Sequence, residues 1–404
     1  MGDMPELMEN ILNNLKNDPN SLQLFNYANL LKDLNLSNLE IKVREWTNRN
    51  LVRPISAISS KTYFDAVVNV VINLLLKLLF ESGAVLHKLV LSFSESFEFK
   101  PEIFYSIGRN ELLFSRLQHL SLEVIPEFSI ENVTIFLKVL AKNITTISSL
   151  DLLKRFSLDG VDHPTEFYGI ISALECQKNS LKEVIINKCG YNKEFEVLKS
   201  CKTLETFRIR DCSSKLLNLL DCKISTLEVF DCPIDVQTIP LILENSGLLL
   251  QRLSFDPEDF GDIHEVLFFL EALKSFCPNI TYLKIKYIEF SIQLLELIGN
   301  LQKLQFLSLC CYADDDIPKK ELEIRVMQFA EILPLTLQYL DLGNSLQPYI
   351  DILLSHCNAP LKKTALNYVG IYKYSDLDEN FRKEVEAHVV NVAMLPSARI
   401  VVNC

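Results

Sequence analysis

The chain has 404 residues, of which 69 are leucine and only 11 glycine, so it has ample material for an apolar core and little for loops that cradle phosphates. No two glycines lie within six residues of one another, which excludes the G-x-G-x-x-G, G-x-x-x-x-G-K and G-x-S-x-G frames and most nucleotide-dependent chemistry with them. Forty Lys and Arg against 52 Asp and Glu give a net charge of −12, a balance that argues against nucleic-acid binding.

The N-terminus, MGDMPELMEN, is acidic and polar, without the basic-then-apolar segment of a secretory signal. Eleven cysteines begin only at Cys176, and an odd, unpaired set fits a reduced cytoplasmic or nuclear compartment. The first predicted element is a helix over residues 3–16 (DMPELMENILNNLK), with Pro5 at its start and Leu7, Ile11, Leu12 and Leu15 on one face. Residues 66–80 (AVVNVVINLLLKLLF) predict a largely buried helix. The stretch is shorter than the roughly 20 residues of a membrane span, and Asn69, Asn73, Lys77 and Glu81 recur every four positions as one polar stripe. No membrane contact is expected.

From Leu86 onward a six-residue frame, L-x-x-L-x-L with related apolar residues allowed, recurs at spacings of 20 to 36 residues. It starts at Leu86, Leu117, Leu153, Leu181, Leu204, Ile224, Leu250, Ile280, Leu304, Leu337 and, weakly, Leu361. Its alternation predicts a short strand with one buried face. Between frames, residues 130–142, 166–177 and 263–277 carry the i, i+3, i+4 spacing of amphipathic helices. Strand then helix, repeated about eleven times, predicts parallel strands joined by helical crossovers, closed by helical and apolar segments over 376–390 and 389–402.

In three consecutive frames a cysteine, Cys189, Cys212 and Cys232, stands three residues after the last strand hydrophobe. This pattern resembles the cysteine-type, ribonuclease-inhibitor-like leucine-rich repeat. The resemblance implies an α/β solenoid, a horseshoe of parallel strands and outer helices, with the cysteine capping the turn that leaves each strand.

No cofactor is expected, and no catalytic or metal site. Cys201, Cys212, Cys222 and Cys232 lack metal-ligand spacing. The six histidines are scattered among different repeats without an H-E-x-x-H or a nucleophile partner. Asp314, Asp315 and Asp316 read as a solvated insertion, since a hard cation needs further ligands at regular offsets.

Met4, Pro5, Glu6, Leu7, Ile11, Leu12 and Leu15 match the opening of an F-box, so the chain resembles an F-box/leucine-rich-repeat protein. The resemblance implies that Met4, Pro5, Leu7, Ile11, Leu12 and Leu15 bind a Skp-type adaptor and through it a cullin ubiquitin ligase. The motif is short: no V-S-R-x-W segment follows, and the one tryptophan, Trp46, falls where such families place a linker. The expected organisation is a partial F-box-like helix over 1–22, a helical linker and N-terminal cap over 23–82, a solenoid of about eleven units over 83–370 and a C-terminal cap over 371–404. Two functions follow. One is the substrate-recognition subunit of a cullin-type ubiquitin ligase. The other is a non-catalytic repeat scaffold that has lost adaptor binding, residues 3–16 then serving only as a cap.

A partner protein is expected on the concave strand face, where the third, fifth and seventh frame positions point outward. Arg208, Arg210, Arg252, Lys284 and Lys286, with Phe230, Tyr282, Phe306 and Tyr339 as apolar anchors, form the candidate surface for an acidic protein or peptide. Against this, Glu228 and Asp256 stand where cross-strand pairing neutralises the stripe.

Overall fold

A computed structural model describes residues 32–50, 61–81, 85–91, 100, 103, 106, 113–124, 153–160, 167, 169, 171–220, 224–233, 238–258, 263–312, 317–342, 346–357, 368–371 and 391–394. The chain divides into two units, Met1–Thr203 and Leu204–Cys404.

In the first unit β1 (Asp33–Asn35) leads into α1 (Leu36–Asn50) and α2 (Lys61–Glu81). Then come β2 (Lys88–Leu91), β3 (His119–Val124), β4 (Arg155–Gly160), a 3-10 helix Ser172–Gln177, β5 (Glu183–Asn187) and a 3-10 helix Lys193–Ser200. The second unit opens with β6 (Thr206–Arg210), a 3-10 helix Ser214–Leu219, β7 (Thr226–Phe230), α3 (Thr238–Ser246), β8 (Arg252–Asp256) and α4 (Ile263–Phe276). It continues with β9 (Tyr282–Glu289), α5 (Ile292–Asn300), β10 (Phe306–Tyr312), α6 (Lys319–Ile332), β11 (Tyr339–Asp341), α7 (Ile350–His356), β12 (Tyr368–Ile371) and β13 (Asn391–Met394). Within each unit every strand pairs in parallel with the next one in sequence.

The frame explains this ladder. Its first, fourth and sixth residues are buried in every coil from Leu86 to Leu342, as in Ile280, Leu283 and Ile285, all at 0% exposure. Each such side chain contributes about 1.5–3 kcal/mol by leaving water. The second position supplies a fork of hydrogen bonds, because its carbonyl accepts N–H groups from positions two and three of the next coil. Gln251 O accepts from Thr281 N (2.8 Å) and Tyr282 N (3.0 Å), and Gln305 O accepts from Gln338 N (2.8 Å) and Tyr339 N (3.0 Å). A parallel ladder of coils that each bury one face only through their neighbours is a leucine-rich-repeat solenoid.

The return segments are of two kinds. From Leu181 to Leu204 is 23 residues and from Leu204 to Ile224 is 20, and these coils return through 3-10 helices, whose ~2.0 Å rise covers the distance with fewer residues. The coils that start at Ile224, Leu250, Ile280 and Leu304, of 24 to 33 residues, return through α-helices, whereas the 28-residue coil from Leu153 returns through a 3-10 helix, so length alone does not decide the kind. Of the helix expected over 166–177, the stretch Ser172–Gln177 is 3-10 and not α; the helix expected over 263–277 is α4.

The repeat also runs past both expected boundaries. β1 pairs with β2, and Lys32 O forms the same fork with His87 N (2.7 Å) and Lys88 N (3.1 Å), so LKDLNL from Leu31 is a frame inside the stretch expected as linker and cap. Trp46 lies in α1, the return helix of that coil. At the other end the weak frame at Leu361 is displaced. β12 places Val369 beside Leu340, so the frame is LNYVGI from Leu366, and β13 continues the ladder beyond 370.

The helix expected over 66–80 is longer, Lys61–Glu81. By length and composition alone, Tyr63–Glu81, at mean hydropathy 1.8, is long and apolar enough to cross a membrane, and 33% of it is buried. That replaces the expectation of a helix too short for a span and largely buried. Val68, Val71, Ile72, Leu76 and Phe80 form its buried face, and Arg44 of α1 ties it down through Asp65 (2.6 Å). Its polar stripe docks the following segment: Asn73, 4% exposed, accepts from Lys100 N (2.8 Å), and Glu81 accepts from Ser106 Oγ (2.9 Å).

The cysteine turn has a repeated geometry. Lys188, Asp211 and Asp231, one residue ahead of each cysteine, take positive φ of 49°, 50° and 50°. The thiols of Cys189, Cys212 and Cys232 then fold back onto the carbonyls of Asn187, Arg210 and Phe230, each at 3.1 Å. Cys212 N also donates to Cys232 Sγ (3.4 Å). These thiols are buried; burial pushes Cys232 up to about 11 and Cys277 up to about 12.

Candidate functional site

Successive side chains on a strand point to opposite sides, so the third, fifth and seventh frame positions of β6–β11 share one face. The ladder aligns them in rows. Thr206, Thr226, Arg252, Tyr282, Phe306 and Tyr339 form one row. Arg208, Glu228, Ser254, Lys284, Ser308 and Asp341 form the next. The third row begins Arg210, Phe230, Asp256, and Lys286 pairs with Cys310 further along. All nine expected target-binding residues therefore lie on one face, half-buried.

The first row is a continuous stack. The Arg252 guanidinium carbon lies 3.7 Å from the Tyr282 ring centre. Tyr282 and Phe306 stack at 4.1 Å with planes 10° apart, and Phe306 and Tyr339 at 4.2 Å and 2°. Strands ~4.8 Å apart bring planar side chains at the same register into this contact. Burial, and then the Asp341 charge, push the Tyr339 phenol up.

The basic stripe is partly neutralised from within. Glu228, 8% exposed, forms an ion pair with Arg208 (Nε to Oε2, 3.1 Å) on one side and accepts a hydrogen bond from Arg252 Nε (2.9 Å) on the other. Asp256 pairs with Lys286; burial works against the Lys286 charge, but the Asp256 carboxylate carries it above its ordinary range. Two cations are arranged otherwise. Arg210 and Lys284 lie 5.0 and 5.6 Å from the Phe230 ring centre. Burial, and next the Lys286 charge, lower the Lys284 ammonium.

Two polar side chains of this face have a burial that the sequence did not announce, Ser254 and Asp256, the latter expected only as a neutralising partner of the stripe. Ser254 is 2% and Asp256 5% exposed, and Ser254 Oγ and Asp256 Oδ1 have no hydrogen-bond partner. Their frame positions point outward, so only the alternation buried, polar, buried, polar in Leu253, Ser254, Phe255, Asp256 signals them; their burial comes from neighbouring strands.

In the first unit the equivalent row is Asp33, Lys88, His119, Arg155 and Glu183. Arg155 pairs with Glu183 (3.3 Å), and burial, followed by the charges of Arg155 and Lys88, lowers His119. Met4, Pro5, Leu7, Ile11, Leu12 and Leu15 lie outside the described residues, as do Asp314–316. Among the described residues no group of three His, Cys, Asp or Glu is placed to hold a metal ion.

No family model and no curated protein matches the chain. Among solved structures, a leucine-rich-repeat protein of Leptospira interrogans is similar over 78% of this chain and 97% of its own, at 14% identity and a TM-score of 0.30. The fold assignment rests on the strand ladder and its buried frame.

Proposed function

We propose that the chain is a non-catalytic repeat scaffold that holds a segment of a partner protein along the exposed face of β6–β11. The observation that carries this reading is the unbroken row Arg252, Tyr282, Phe306, Tyr339 beside Phe230 and its two cations. Arg and aromatic side chains dominate interface energetics, and pre-stacked rings lose little conformational entropy on binding. With Arg208, Arg252 and Lys286 engaged by carboxylates of the face, attraction for an acidic segment falls to Arg210 and Lys284. Selection of random displayed peptides on the purified full chain tests the reading. Peptides are expected to bind and to be lost with Tyr282→Ser plus Phe306→Ser; equal binding to that variant sinks it.

The same face suits the substrate-receptor role in a cullin-type ubiquitin ligase, which the F-box-like residues Met4, Pro5, Leu7, Ile11, Leu12 and Leu15 support. Free buried thiols suit a cytoplasmic or nuclear setting. A pull-down against a Skp-type adaptor, with a chain lacking residues 1–21 as control, decides between this role and a scaffold without adaptor. Binding lost on truncation supports the ligase role, and no binding by the folded protein removes it.

A further inference from the structure

We infer that Ser254 and Asp256 form a recognition notch in this face for a side-chain carboxamide, an Asn or Gln of the bound segment. The inference rests on the scaffold reading above. Both side chains are more than nine-tenths buried on the partner-facing side of β8, and Ser254 Oγ and Asp256 Oδ1 have no partner. A buried polar atom without a partner costs about 1–3 kcal/mol, which a ligand that supplies the missing bonds recovers.

The charges around the notch select the ligand. Asp256 Oδ1 accepts only, and its other oxygen holds Lys286, so the ligand must bring a donor. Glu228, its charge taken up by Arg208 and Arg252, and Lys284 flank Ser254 in register, and the cations of Lys284 and Lys286 disfavour a cationic donor such as a partner's lysine. An anion finds the cations but meets Asp256 with no proton to offer. A neutral group is therefore required, with a donor for Asp256 and an acceptor for the Ser254 hydroxyl.

Length narrows the choice. Residues two apart on a strand stand about 6.6 Å from each other, and two hydrogen bonds of about 2.9 Å leave a gap that a single hydroxyl does not fill. A carboxamide carries its N–H donors and its carbonyl on one edge of one planar group. A backbone peptide unit turns its N–H and C=O to opposite sides. Lys284, half-buried and set against the Phe230 ring, is the side chain that lifts to admit the group.

The test is the peptide selection run in parallel on the wild-type full chain and on Ser254→Ala, Asp256→Asn and Lys286→Met. Enriched wild-type peptides are expected to share one Asn or Gln. Replacing it by Asp or Glu in the synthetic peptide lowers affinity about tenfold, the value of one buried hydrogen bond. Asp256→Asn, with its remaining oxygen held by Lys286, turns its amide nitrogen to the notch as a donor and shifts the preference to Asp or Glu. Lys286→Met breaks the same ion pair, keeps the acceptor and retains the carboxamide preference. Peptides that need Tyr282 and Phe306 yet show no such preference overturn this inference and leave the scaffold reading standing. A Lys286→Met shift equal to that of Asp256→Asn also overturns it, and no enrichment on the wild type overturns both.

Discussion

Arg252 touches Tyr282 face-on, its guanidinium carbon 3.7 Å from the ring centre, while its Nε holds Glu228 at 2.9 Å. One side chain thus joins the aromatic row to the charged row, and the two behave as one network.

Within the aromatic row coupling falls off with distance. A double-mutant cycle of Tyr282→Ala and Phe306→Ala, read by urea denaturation, is expected to give about 0.5–1.5 kcal/mol of interaction energy. Tyr282→Ala with Tyr339→Ala, two strands apart, gives less. Equal coupling in both pairs would contradict a nearest-neighbour stack.

Glu228→Gln removes the carboxylate shared by Arg208 and Arg252. The carboxylate is buried and both arginines are a third exposed, so after allowance for solvent screening the loss is about 1–2 kcal/mol. Much of it is repulsion between the two guanidinium groups. Denaturation at low salt and again at about 1 M salt is expected to show a smaller loss at high salt.

The buried thiols set an alkaline limit. Cys232 and Cys277 sit at about 11 and about 12 when folded, above the ~8.5 of a free cysteine. Their contribution is complete below that lower value and is lost as pH rises through 9 to 12, at about 1.4 kcal/mol per unit and thiol once the unfolded form ionises. Chemical denaturation from pH 8 to pH 11 is expected to show a declining midpoint, and Cys277→Ala a shallower decline.

Gly247 follows α3 where two backbones meet. A Cβ there would collide with Leu243 O and stand 2.5 Å from Phe276 O, and neither backbone atom has a rotamer to escape into. Gly247→Ala is expected to cost about 2–3 kcal/mol, read as a lower thermal midpoint. A neutral result would mean that α3 and α4 shift apart freely.

The frame made the strands legible because its leucines are spaced by strand geometry itself. LKDLNL from Leu31 matches perfectly, yet it lies in a polar, Asn-rich stretch next to an F-box-like segment, and that context led to its being read as linker. The face was half legible. Counting frame positions aligns Glu228 between Arg208 and Arg252, so the neutralising pair was open to inspection, but the burial of Ser254 and Asp256 depends on how long side chains from β7 and β9 lie down. Nothing in KIKYIE announces that Tyr287, at φ 57° and 57% exposed, is the bulge residue that lets β9 run on to Glu289 beside β10.

The carbonyl fork has an evolutionary corollary. Within each unit it fixes successive coils at two consecutive residues of the frame, whereas the return between forks varies by more than ten residues and changes from 3-10 to α-helix. Insertions and deletions in the returns therefore leave the pitch of the array unchanged, while one residue gained inside a frame would turn its leucines to solvent. Such a chain lengthens or shortens by whole coils, and its binding face is edited one row entry at a time.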